Sequence, residues 1–528
     1  MQSESSKKLV AEIEGMLSSG NYQSSVKLCQ LLNERYPNYG HGWFLSSCVA
    51  LQLNIVQFAS YSVDKALSIS KENPNWNIQK ARCWIKSGEL VQAINLTNSI
   101  MKIPHLNVDL LNDIAILYTD CHQLERSCEI YKKAIELSPK SSKLYFNLAS
   151  VERYLGLLES CEKNCNLAIE YDPHNYDAHY MRSYLKLQDL NNNHIQQLYQ
   201  ISKSDIGNPV SYAKIQYALA KELEDCHKFN ESFKERKKGA NAYRKIFDYN
   251  IDSEVQFMRN IAKTYNHKLF KKNKGNENGE GVIFILGLPR TGSTLVERIM
   301  GGHTDISSMG ELTAFSNIMS EMLMQFVNSN NMPSSEMVSM SSQLDFKKMG
   351  EAYMQHISGI KDSSKYFIDK FPQNSLYIGL IHLALPRARI VLVERDPMDS
   401  CYSMFKELFT DIYQFSYDLD ELAEYYVSHH QLMEHWKNVI PDVINTVKYE
   451  ELVSNVELTS KNLFNQCKIK WQPQCVDFTK NNQHSRTASA SQVRTKIYSS
   501  SVGKWKHYEK QLERVSKKII KYLSLTSP

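Results

Sequence analysis

The sequence has little of what would mark several common classes of chain. Its 528 residues hold only 20 glycines and 14 prolines, with 42% hydrophobic and 23% charged residues, so collagen-like, disordered and low-complexity classes are excluded for most of the length. No apolar run approaches the ~18 residues of a membrane span. The opening MQSESSKKLVAEIEGML is polar and acidic where a signal peptide needs an apolar core. The expectation is a cytoplasmic protein without a membrane partner. Eleven cysteines run from Cys29 to Cys475 without a C-x-x-C pair, and the nearest two, Cys161 and Cys165, read on a helix as half-buried thiols. Free structural thiols are expected, and no metal site. Net charge is scarce too: 62 basic against 57 acidic residues leave +5, which argues against a nucleic-acid partner but allows a locally basic anion pocket. Length alone allows roughly three to four domains of ~150 residues.

What the sequence does have, first, is self-similarity. Pro37, Pro74, Pro104, Pro139 and Pro173 follow one another at 37, 30, 35 and 34 residues, and a period near ~34 is that of tetratricopeptide repeats (TPR). YKKAIELSP (131–139) aligns with CNLAIEYDP (165–173), setting Ala134 over Ala168 where two helices cross closely, and FNLASVERYLG (146–156) supplies a first helix and turn. Trp43, Trp76 and Trp84 read as stacking residues of the solenoid core. About five repeat-like units, over roughly residues 5–185, predict an all-α TPR solenoid over residues 1–190. A groove for a protein or peptide is one reading of it; a spacer that stabilises or dimerises the chain is the other. A last helical pair over 211–247 places a connector and cap at 191–275.

KKNKGNENGEG (271–281) cannot form a packed element and suggests a domain boundary. After it the period changes. VIFILG (282–287) is a β-type run buried on both faces, broken by a turn before TLVERIM (294–300) resumes as a helix, so residues 281–528 are expected to form an α/β domain with a central parallel sheet. Strand, tight loop and helix aim backbone N–H groups and a helix dipole at one point, which suits an anion. GLPRTGST (287–294) has the G-x-x-x-x-G spacing of a nucleotide loop but Ser293 where the lysine belongs, which disfavours a triphosphatase or P-loop kinase; no G-x-G-x-x-G is present. The loop offers Arg290, Gly292 and the hydroxyls of Thr291, Ser293 and Thr294; a purely structural turn is the alternative. Downstream, FIDKFPQN (367–374) precedes RIVLVERDPMDSCYSMF (389–405), a strand running into Arg395 and then a helix with Pro397 in its first turn. Arg395 and Ser403, two helical turns apart, are placed to converge on one phosphate; an Arg395 paired only with a nearby aspartate is the bland alternative.

In this order the motifs resemble the sulfotransferase superfamily, which transfers a sulfuryl group from 3′-phosphoadenosine 5′-phosphosulfate (PAPS). PRTGST (289–294) is similar to the family's 5′-phosphosulfate loop, P-R-S-G-T-T, with the hydroxyl types of Thr291 and Ser293 exchanged. The resemblance makes Arg395 and Ser403 the 3′-phosphate site and places Tyr449 of VKYEELV (447–453) at the adenosine. It likens 486–508 to the segment that closes over the nucleotide, implicating Ser489, Tyr498, Ser501 and Lys504. The tyrosylprotein-sulfotransferase-like branch is the most similar, matching Glu311 in HTDISSMGELTAF (303–315) and Lys370 in DKFP.

The chemistry so implied is specific. A phenolic acceptor of pKa ~10 must lose its proton as it attacks sulfur, which assigns a carboxylate, Glu311, as base. Lys370 is the cation for the leaving oxygen, and Arg290 with the loop holds the phosphosulfate, without a metal. The acceptor so implied is a protein tyrosine, docked on the TPR groove; a carbohydrate or small-molecule hydroxyl is the runner-up, and a TPR scaffold with a non-catalytic nucleotide domain stands further off. Glu311 also reads as a helix-start carboxylate, Lys370 as a solvated strand-end charge, and His303 as a rival base or a helix C-cap. His429, His430 and His435 read as core or surface histidines. The polar stretch 328–343 is expected as a loop, either an acceptor lid or an insertion.

Overall fold

The computed structural model describes residues 4–273, 276–325, 334–359, 363–410, 412–477 and 501–526. It divides into two compact units, Met1–Ala178 and His179–Pro528.

The first unit is five successive helix pairs, from Glu4–Ser18 with Tyr22–Arg35 through to Ser142–Leu155 with Leu158–Tyr171. Each pair buries its faces on its neighbours, and small residues set how closely the helices approach: Ala134 and Ala168, aligned by the repeat, are both fully buried. Local sequence ends the helices cleanly. Asn73 caps Pro74–Lys86 by accepting from the Asn75 and Trp76 amides, and Gly156 closes Ser142–Leu155 in the left-handed region at φ 79°. Trp76 is buried and stacks near Phe44, Trp43 donates its indole N–H to the Pro37 carbonyl at 2.8 Å, and Trp84 is partly buried against the core of the third and fourth pairs. Polar side chains join successive pairs as well: Asn147 Nδ2 donates to Asn112 Oδ1 at 2.8 Å.

The second unit is built on five parallel strands, β1 Val282–Gly287, β2 Ile306–Ser308, β3 Tyr366–Lys370, β4 Arg389–Glu394 and β5 Ile444–Lys448, in the order β2-β3-β1-β4-β5. All six residues of the central β1 are buried. Its alternate side chains feed two cores, Phe284 and Leu286 on one face and Ile283 and Ile285 on the other, so an unbroken apolar run is what the position demands. The chain runs from β1 to one edge and returns through β3, then crosses to β4, so the carboxyl ends of β1 and β4 flank the point where the winding reverses. Ligands of open parallel sheets bind at such a point.

Residues 191–275, expected as a connector and cap, lie within this second unit. Tyr217, Phe233 and Tyr243 of Pro209–Asp225 and Phe229–Arg244, and Met258 and Ile261 of Ile251–Thr264, share one core with Phe284 and Leu286 of the sheet. Glu224 fastens them further: its carboxylate accepts from Tyr402 Oη at 2.6 Å, Lys406 Nζ at 2.9 Å and Tyr508 Oη at 3.1 Å, and pairs with Arg236 at 3.1 Å. Burial alone would raise the Glu224 pKa, but Lys406 and Arg236 outweigh it and hold the group ionised. The polar stretch before β1 is tied down as well, Asn276 Nδ2 donating to the carbonyls of Leu383 at 3.0 Å and Ala384 at 2.6 Å.

The stretch 328–343 differs from the expected loop in its second half. Ser334–Ser341 is a helix, because Val338 and Ser341 bury and the Ser341 hydroxyl bonds Tyr265 Oη at 2.8 Å. All eleven cysteines are free, ten of them buried. No helix among the described residues is long and apolar enough to cross a membrane.

Candidate active site

The loop after β1 is shaped by backbone that few residues accept. Gly287 has φ 140°, and a Cβ there would lie 2.5 Å from the Val393 carbonyl of β4; Gly292 has φ 102°, and a Cβ there would meet the Tyr449 ring at 2.4 Å. Between them Arg290 takes φ 66°, unusual for a residue with a side chain, and Thr291 Oγ1 donates to the Leu288 carbonyl at 2.7 Å to close the turn. Ser293 and Thr294 then open the helix Ser293–Gly301, whose N-terminus carries the positive end of its dipole at the carboxyl edge of β1.

Arg395, just beyond β4, organises this edge. Its Nη1 donates to the Arg290 carbonyl at 3.0 Å, its Nη2 to the Ser501 carbonyl at 2.7 Å, and its guanidinium lies 4.7 Å over the Tyr449 ring. Tyr449 Oη in turn bonds Ser501 Oγ at 2.7 Å. Four of the expected nucleotide residues, Gly292, Arg395, Tyr449 and Ser501, are thus drawn together from four separate segments, along with the backbone carbonyl of Arg290. Arg395 Nε is buried without a hydrogen-bond partner among the described residues, and a cavity of about 410 Å³ opens beside it, lined in part by Thr291, Ser400 and Lys448. Asp396 accepts from the Met398 and Asp399 amides, so its carboxylate caps the helix Pro397–Phe405.

Other expected residues are placed differently. Arg290 turns its side chain to within 3.5 Å of Glu407. Ser403 is buried on Pro397–Phe405. Lys504 opens the turn Lys504–Tyr508 close to Lys406, whose pKa is lowered first by burial and further by the Lys504 charge, against the pull of Glu224. Ser489 and Tyr498 lie outside the described residues.

At the end of β3, Lys370 is only 1% exposed while Glu311, 43% exposed, reaches back from the loop after β2 to pair with it. The backbone fixes the approach, Lys370 N–H donating to the Gly310 carbonyl at 2.9 Å. A second carboxylate, Glu297, stands 3.9 Å from Lys370 Nζ and accepts from Ser308 Oγ at 2.5 Å; burial raises its pKa while Lys370 pulls it down. Glu297 is not among the residues singled out from sequence, because beside Arg298 in TLVERIM it reads as an ordinary helix charge and only the fold sets it against Lys370. Asp369 was missed for the same reason: burial pushes its carboxyl up to about 7, against hydrogen bonds from Tyr353 Oη at 2.7 Å and Asn374 Nδ2 at 3.3 Å. Asp399, also missed, accepts from the Gly503 amide at 2.6 Å and the Trp505 amide at 3.3 Å and so holds the segment that carries Ser501.

The histidines are committed elsewhere. The Asp305 amide donates to His303 Nδ1 at 3.0 Å, which leaves Nε2–H to donate to the Lys470 carbonyl at 2.9 Å, and both ring nitrogens are used. His429 is buried with its pKa pushed down to about 3 by burial and bonds Ser375 Oγ at 2.9 Å; His435 bonds the Tyr265 carbonyl at 2.8 Å and His430 bonds Tyr522 Oη at 3.4 Å.

The arrangement is a sheet edge with a helix N-terminus and an arginine on one side and a lysine held between two carboxylates on the other, suited to moving an anionic group between oxygens. Comparison with known proteins finds matches in both parts of the chain. The Sulfotransferase family matches residues 282–473, and the Tetratricopeptide repeat family matches residues 108–141 and 142–175. An uncharacterized protein of Aquifex aeolicus (strain VF5) is 27% identical over 305 residues, 57% of this chain but 40% of its own length, so the chain spans less than half of that curated relative. Among solved structures, the sulfotransferase domain from the curacin biosynthetic pathway shares 15% identity, covering 46% of this chain and 98% of its own at a TM-score of 0.32. A thermophilic TPR protein of Thermus thermophilus shares 13%, covering 34% and 98%, also at a TM-score of 0.32. The chain carries a sulfotransferase-family domain preceded by tetratricopeptide repeats.

Proposed function

We propose that the protein is a PAPS-dependent sulfotransferase acting on an acceptor hydroxyl. The observation that carries this reading is the buried Lys370 paired with Glu311 at the same sheet edge as the loop and Arg395. In the proposed reaction the acceptor oxygen attacks sulfur, the S–O bond to adenosine 3′,5′-bisphosphate breaks, and the acceptor proton passes to Glu311. Lys370 Nζ meets the negative charge that grows on the leaving oxygen. The loop amides, Ser293 and Thr294 hold the 5′ end; Arg395, with Nε still to be satisfied, and Ser403 serve the 3′-phosphate; and Tyr449, with Ser501 beside it, covers the nucleoside. Arg290 and Lys504 would join once the phosphosulfate competes for their charge.

The resemblance favours a protein tyrosine as acceptor, and the repeats offer a groove for docking it. A second reading, a small-molecule hydroxyl, is favoured by a cavity rich in aromatic side chains whose wall includes Gln373, three positions after Lys370. Calorimetric titration with adenosine 3′,5′-bisphosphate, beside ATP with Mg²⁺, tests the nucleotide. Micromolar binding of the bisphosphate, weakened on the order of a hundredfold in Arg395→Ala by loss of a charge-assisted contact, is expected; preference for ATP would sink the proposal. Glu311→Ala should keep that binding and lose on the order of 10²–10⁴ in turnover.

A further inference from the structure

A cavity of about 400 Å³ is walled in part by the turn Pro372–Tyr377, which follows directly on β3 and Lys370. Two residues tie it to the Glu311–Lys370 pair: Gln373, three positions after Lys370, lines it, and so does Tyr413, whose pKa is raised by burial and then by the Glu311 charge. The walls are rich in aromatic rings. Phe415 and Tyr425 stack with ring centres 3.6 Å apart, Tyr413 packs edge-on to Phe415 at 6.0 Å, and Tyr249, Phe257 and Tyr377 add three more rings, with Ser253, Leu376, Ile412 and Gln414 between them.

Among the described lining residues one is charged, Glu254. Its carboxylate has no ion pair or hydrogen bond among the described residues, and burial alone accounts for its raised pKa. The cation on the neighbouring stretch of chain, Arg244, is already spent: it meets both oxygens of Glu421 at 2.7 Å and the carbonyls of Phe247 at 3.2 Å and Tyr249 at 2.7 Å. The Tyr249 hydroxyl is likewise buried without a partner among the described residues. A partly desolvated carboxylate among aromatic faces is costly when it stands alone. It becomes favourable when a cation enters, because the carboxylate supplies the countercharge and the ring faces attract the same charge.

We propose that this cavity binds the ammonium group of the acceptor, and that the acceptor class is an alcohol or phenol bearing a cationic amine, its hydroxyl presented to Glu311. The inference rests on the sulfotransferase reading and narrows its acceptor to a small molecule. Tyr249, Glu254 and Phe257 lie outside the 282–473 family match, so the selecting wall belongs to the helix Ile251–Thr264 and the turn before it, ahead of the family domain.

The test compares two probes that share a phenol and a two-carbon arm and differ in the amine, tyramine and 4-ethylphenol, titrated calorimetrically into the full chain with and without adenosine 3′,5′-bisphosphate. Tyramine is expected to bind on the order of tenfold more tightly or better, a difference that Glu254→Gln abolishes while leaving 4-ethylphenol and the bisphosphate as they were. Equal binding of the two phenols, no binding of either, or a preference that survives Glu254→Gln overturns the inference. So does a neutral tyrosine peptide that binds more tightly than tyramine, which would restore the protein acceptor. Bisphosphate binding reports separately on the sulfotransferase reading: its absence with the amine preference intact sinks that reading and leaves the cavity, and the converse result does the reverse.

Discussion

The helix pairs of the first unit and the helix pair Pro209–Asp225 with Phe229–Arg244 look alike in sequence, yet they are held by different means. In the first unit each apolar cluster is made by helices close in sequence, such as the one that runs from Ile78 to Val151. In the later pair, Glu224 and Arg236 reach Tyr402, 178 and 166 residues away, and Glu224 reaches Tyr508, 284 residues away. Amphipathic periodicity says that a helix buries one face, and only the identity of what it buries against decides which domain owns it. A buried charge on that face is the sequence's best hint of an owner far along the chain, because it must find a partner.

The largest expected effect tests this contrast directly. Glu224→Ala leaves Arg236, and Lys406 with it, buried without a countercharge and should cost about 3–5 kcal/mol of stability in chemical unfolding; a loss below about 1 kcal/mol would mean that apolar contacts alone hold the pair. Next comes the sheet. Asp369 binds its proton up to about 7 when folded against a usual 3.8, so the folded state holds more protons between those values and stability falls as pH rises through that window, then levels off. The full fall is about 4 kcal/mol for about three pH units, and Asp369→Asn should remove that slope. In the repeats, Ala168→Leu overfills a helix crossing and should cost about 1–3 kcal/mol, read as a lower unfolding midpoint. Were the repeat substitution to cost more than Glu224→Ala, the contrast would be broken.

Legibility followed the same line. The repeat period, the buried strand VIFILG and the turn after it are local patterns, and the all-α array followed by a parallel-sheet α/β domain could be read from them. Glu311 and Lys370, 59 residues apart, meet in the structure, but only their resemblance to family motifs singled them out beforehand. Glu297, Asp369 and Glu254 were not legible. Each is one acidic residue in a helix or strand, and its meaning comes from what other elements place beside it: Lys370 for the first, Tyr353 for the second, a ring-lined cavity for the third. Arg290 shows the opposite limit, since its motif was clear while the Glu407 that takes its side chain lies 117 residues on.

The reach of Glu224 also sets where this chain can be cut. A fragment begun at residue 282, where the family match starts, would keep Tyr402, Lys406 and Tyr508 but lose the carboxylate they share, and would bare Phe405 and Tyr508, against which Phe233 packs. The smallest piece able to stand alone therefore begins upstream of Pro209. The seam that leaves this second unit whole lies among the helices before Pro209 rather than along the Lys- and Asn-rich stretch where composition changes.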